Sequence, residues 1–131
     1  MQLLQGLQKG QLNTQMKTSF NELDQAFWQG CSELPSLIVF NISYFFSNVP
    51  PKFTEDLAQR IKRVLINYPL NKYVFIIQHS DIDRNLESFK VFKKVLENNV
   101  NIIKHEKDSF AYKLNYNEKK LEFCYDIWIN K

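Results

Sequence analysis

The chain has 131 residues, enough for a single domain with a real hydrophobic core. Its composition, 44% hydrophobic, 24% charged and 15% aromatic, excludes an intrinsically disordered polymer. The formal net charge is +3 with Lys and Arg interleaved among Asp and Glu, so no basic run marks a nucleic-acid binder, and no apolar run approaches the roughly 20 residues that span a bilayer.

Cys31 and Cys124 lie far apart and beside no other metal-ligating type, a pattern of reduced thiols and a cytoplasmic chain rather than a disulfide framework. The opening MQLLQGLQKGQ has no apolar h-region, so no signal peptide is expected.

In chain order, residues 1–18 are the least committed segment, a frayed helix or a loop ordered by a partner. Gln recurs at positions 2, 5, 8, 11 and 15, and Gly6 and Gly10 weaken a helix there. The α/β core is expected over 19–131. Ser19 and Glu22 have capping-box spacing; Phe20, Leu23 and Phe27 share one helical face; Gly30 supplies a stop. After a turn at Pro35, residues 37–42 (LIVFNI) form a near-continuous apolar run, which predicts a strand covered on both faces. Thr54 is placed to cap a helix whose stripe is Leu57, Ile61, Val64, Leu65 and Tyr68, closed by Pro69. Residues 73–77 (YVFII) predict a second buried strand. Asn85 caps a further helix that turns Leu86, Phe89, Phe92 and Leu96 inward, and Val100 opens a third strand. From Phe110 the period becomes two, with Phe110, Tyr112, Leu114 and Tyr116 on one face. Past a turn at 117–119, Leu121, Phe123, Tyr125, Ile127 and Ile129 continue it, which predicts an antiparallel hairpin buried on that face. The fold class that results is α/β, a Rossmann-like β-α-β-α-β sheet with mostly parallel strands and a C-terminal antiparallel hairpin.

Open α/β sheets bind ligands beyond the carboxyl ends of their strands. That rule selects Asn41, Ser43 and Tyr44 leaving the first strand, and Gln78, His79 and Asp81 leaving the second, as candidate ligand-facing residues. His79, Asp81 and Asp83 alternate, but one loop is a poor metal cage, and His105 with Glu106 and Asp108 lies on another connection; no metal is expected. No nucleophile elbow, Walker loop or Gly-x-Gly fingerprint is present.

The stretch from SLIVFNISYFF through YVFIIQHSD to LEFCYDIWI resembles the C-terminal half of class I S-adenosylmethionine-dependent methyltransferases. That family's later half ends in an antiparallel hairpin, and some members carry Asn/Asp-Pro-Pro-Tyr/Phe after the fourth strand. Here Asn41-Ile42-Ser43-Tyr44 keeps both ends and lacks both prolines. The Gly-rich cofactor loop has no counterpart in residues 1–36. The resemblance therefore implies a half-domain inactive on its own, which binds S-adenosylmethionine only when completed by a missing N-terminal portion or a protein partner. The alternative reading is a non-catalytic protein-interaction module of immunity or accessory type. Membrane partners are excluded by hydropathy, and nucleic acid is disfavoured by the weak net charge.

Overall fold

The computed structural model describes residues 23, 25–47, 49–80 and 83–131. The uncommitted segment 1–18 and the capping pair Ser19 and Glu22 lie outside them. The chain divides into two compact units, Met1–Gly30 and Cys31–Lys131. In the first, the Phe27 and Trp28 rings meet edge to face at 5.0 Å. Helix α1, Gln25–Glu33, runs straight through Gly30 rather than stopping there. Among the described residues a Cβ at Gly30 would meet nothing within 4 Å, so neither a turn nor a close approach to them requires glycine.

The second unit is a mixed α/β domain. Strand β1 is Leu37–Ser43, followed by a one-turn 3-10 helix at Phe45–Ser47. Helix α2 is Pro51–Asn67, β2 is Lys72–Ser80 and helix α3 is Asp83–Leu96. Strands β3, Val100–Leu114, and β4, Asn117–Asn130, complete a four-stranded sheet in the order β1-β2-β4-β3. Only β1 and β2 run parallel; β4 is antiparallel to both of its neighbours. The expected mostly parallel sheet is corrected accordingly. The third strand and the hairpin, separate in the sequence reading, are one long pair with a bulge between Ile102 and Lys104.

Within this unit, the described helices cover one face of the sheet. Along β1, Phe40 and Ile42 are buried while Leu37 and Val39 are 65% and 51% exposed. The apolar run 37–42 thus does not mark a strand sandwiched between layers. The covered face carries Phe40, Tyr73, Phe75, Ile77 and Trp128, with Phe40 stacked on Phe75 at 5.1 Å and Phe75 against Trp128 at 6.0 Å. Helix α3 lays Phe89 and Phe92 on Trp128. Phe46, fully buried in the 3-10 turn, plugs the space between β2 and α3 with its ring edge-on to His79, Phe89 and Phe92. Each aromatic side chain in such a cluster takes about 150–250 Å² out of water.

Helix starts also differ from expectation. Pro51 begins α2 with Pro50 extended at the N-cap, because a ring-locked φ and a missing N–H are harmless in a first turn. Thr54 is therefore inside the helix and buried, its hydroxyl turned back to the Pro50 carbonyl at 3.4 Å. Asn85 likewise sits in the first turn of α3, buried, with Nδ2 3.4 Å from the Ser80 carbonyl.

The hairpin corrects the sequence reading most. Period two is present, but the face buried near the helices is Cys124, Asp126 and Trp128, not Phe123, Tyr125, Ile127 and Ile129. Asp126 disguised that face. Its carboxylate is 1% exposed and accepts the Trp128 indole N–H at 2.8 Å and His105 Nδ1 at 2.5 Å. A buried carboxylate is tolerable when its oxygens are bonded in this way. The turn falls at Asn115 and Tyr116, both at positive φ (51° and 66°), the geometry that matches the twist of a two-residue hairpin.

At the opposite end, Asn71 and Asn130 pin the strands. Asn71 Oδ1 accepts the Ser36 N–H at 2.9 Å, and Asn130 Oδ1 accepts the Tyr73 N–H at 2.9 Å. The Tyr73 hydroxyl donates to the Tyr68 carbonyl at 2.7 Å, and burial pushes its pKa up.

Candidate interaction face

Four of the six ligand-facing residues selected from sequence come together. Ser43 is the register partner of Gln78, and Asn41 that of Ile76, so Asn41, Ser43 and Gln78 share the uncovered face. Ser43 Oγ donates to Asn41 Oδ1 at 2.6 Å. Tyr44 has φ 60°, a left-handed conformation that costs a bulky residue about 1 kcal/mol. Two bonds hold it there: its N–H donates to the Gln78 carbonyl at 2.7 Å, and Gln78 Nε2 donates to its hydroxyl at 3.0 Å. His79 follows Gln78 in an unbroken strand, so alternation sends its ring to the opposite, covered face, where it is 1% exposed. Asp81 lies outside the described residues.

The uncovered face extends well beyond this polar corner. Register places Val39 beside Val74 and Ile129, then Asn41 beside Ile76 and Ile127, then Gln78 beside Tyr125. From there the same face continues onto the β3–β4 arm through Phe123, Leu121 and Phe110 to Tyr112 and Leu114. Phe110 contacts both Tyr112 and Phe123, and Phe123 stacks on Tyr125 at 6.3 Å. Ile76, Phe110, Tyr112 and Leu114 are between 42% and 56% exposed, and Tyr116 at the tip is fully so.

Charge on the face is mixed. Lys104 Nζ lies 3.4 Å from Glu106 and 5.5 Å from the Tyr125 ring centre. The Tyr125 hydroxyl donates to Glu106, and this bond holds the Glu106 carboxyl below the usual carboxylate range while raising the Tyr125 hydroxyl. The Glu106 hydrogen bond and charge raise Lys104.

His105, weighed in sequence with Glu106 and Asp108, instead pairs with Asp126 across the strand boundary. Among the described residues no group of three or more His, Cys, Asp or Glu is arranged to hold a metal and no helix is long and apolar enough to cross a membrane; Cys31 and Cys124 are both buried and are not joined in a disulfide. Sequence reasoning found the corner at Asn41 and Gln78 from strand ends. It read the period of two from Phe110 onward as a hairpin buried on that face, and so left the arm out of the candidate site.

No family model and no curated protein matches the chain. Among solved structures it is similar to Alba from Thermoplasma volcanium, at 5% identity and a TM-score of 0.39, over 71% of this chain and 99% of that one. A likeness at that level bears on neither the fold nor the activity of this chain. The methyltransferase resemblance is corrected: no family model and no curated protein supports it. Its physical flaw lies in the sheet. The resemblance counted a short third strand and a separate hairpin over a sheet covered on both faces, whereas β3 and β4 form one arm and β1 is covered on one face only.

Proposed function

We propose that this chain is a non-catalytic interaction module that docks a protein partner on the uncovered face of its sheet and arm. The observation that carries the reading is the continuous exposed apolar band from Leu37 and Val39 through Ile76 to Phe110, Tyr112 and Leu114. Monomeric proteins rarely expose a contiguous apolar patch larger than a few hundred Å², and larger ones mark interaction surfaces. Aromatic side chains amid a polar rim are the composition of binding hot spots, and Asn41, Ser43, Gln78 and Lys104 supply such a rim. The mixed charge of that face favours protein over nucleic acid, since Lys104 is paired there with Glu106.

The test compares the full chain with a Val39→Glu/Phe110→Glu variant. Both positions are half-exposed, so unfolding midpoints should agree closely. A protein retained from host extract by the wild type should bind the variant at least about tenfold more weakly, the loss expected when hot-spot contacts worth 1.4 kcal/mol or more are removed. Equal affinity for both forms, or retention of nucleic acid alone with a steep salt dependence, would refute the reading.

A further inference from the structure

Beneath the covered face, three buried polar atoms have no hydrogen-bond partner among the described residues: His79 Nε2, Asn85 Oδ1 and Ser88 Oγ. Their residues are 1%, 0% and 0% exposed. One further atom of this kind, Asn99 Oδ1, stands beyond the far end of α3. Unbonded polar groups in a packed core are rare, and three together would consume a large share of a domain's marginal stability.

His79 and Asn85 meet at one backbone atom, and Ser88 lies on the same helical face as Asn85. The Ser80 carbonyl oxygen lies 3.1 Å from His79 Nδ1 and 3.4 Å from Asn85 Nδ2, which sets both side chains against a single atom. Ser88 follows Asn85 by three residues on α3 and so lies on the same helical face one turn on. Phe89, adjacent to Ser88, rests on the His79 ring with centres 4.8 Å apart.

Their bonding capacities are complementary to one small molecule. A carbonyl only accepts, so Nδ1 carries a hydrogen, and in the ring tautomer with that single hydrogen Nε2 is a bare acceptor. The Asn85 amide nitrogen is turned to Ser80, which leaves Oδ1 as a second acceptor. The Ser88 hydroxyl offers one donor. Two acceptors and one donor match a guest with two donors and one acceptor, and a water molecule is the smallest that qualifies.

We propose that His79, Asn85 and Ser88 form an internal binding site for one water molecule, which joins the end of β2 to the first turns of α3. The site lies on the side of the sheet away from the proposed docking face and is independent of it.

Two NMR measurements on the full chain test this. Long-range 15N–1H correlation of the His79 ring should show a hydrogen on Nδ1 and none on Nε2. Water-selective rotating-frame transfer should reach the His79 ring C–H protons, and should persist in Ser88→Ala, where relay through the serine hydroxyl is impossible. In Asn85→Leu the transfer should fall several-fold. A protonated Nε2, or no transfer to His79 in either wild type or Ser88→Ala, would overturn the site. Transfer unchanged in Asn85→Leu would overturn the role of Asn85 in it.

Discussion

Replacing Asp126 with alanine is expected to destabilise the domain by about 2–3 kcal/mol, while asparagine costs about 1 kcal/mol. The magnitude follows from the two bonds the carboxylate accepts. Alanine strands the Trp128 indole N–H in a residue with no exposed surface, at about 1–3 kcal/mol for an unmet buried donor. It also removes the bond from His105, a charge-assisted contact discounted here because the imidazole is 48% exposed. Relief of a desolvated carboxylate offsets part of the loss. Asparagine keeps the volume, its carbonyl still accepts from Trp128, and its amide donates to His105 Nδ1 in the other tautomer. Urea unfolding with a common m-value measures both differences. The reasoning fails if alanine costs no more than asparagine, or if alanine costs less than about 1 kcal/mol.

Gly30→Ala should stabilise α1 by about 0.5–1 kcal/mol, read as a raised urea midpoint, because the added methyl meets none of the described residues. Tyr116→Gly should also stabilise, by about 1 kcal/mol, since glycine adopts the positive φ of this turn without strain. Phe46→Ala, which empties the plug between β2 and α3, should cost about 3–5 kcal/mol by the same assay. In Tyr125→Phe, carboxyl-detected NMR should show the Glu106 pKa rising toward its ordinary value. The sign is that of a depressed carboxylate: its stabilising contribution is present above the ordinary carboxylate range and fades as pH falls through the lowered value.

Local chemistry was legible in the sequence wherever it coincided with the tertiary environment. Ile61, Val64 and Leu65 fall on the buried stripe of α2, and Phe89, Phe92 and Leu96 on that of α3, because a period of 3.6 needs only one wet and one dry side. Strands at 37–42 and 73–77 follow from β-branched and aromatic runs, as does a corner joining Asn41, Ser43, Tyr44 and Gln78. Burial of each strand face was not legible. An apolar residue reads alike whether it meets a helix or a partner, so LIVFNI gave no sign that Leu37 and Val39 stay uncovered. The same ambiguity inverted the hairpin. Alternation established two faces, and only the packing of α3 on Trp128 selected the one that contains a charged residue. What the sequence determined alone is the set of elements and their two-sidedness. The tertiary structure decided which side is dry, because burial depends on what lies across the gap and not on the residue facing it.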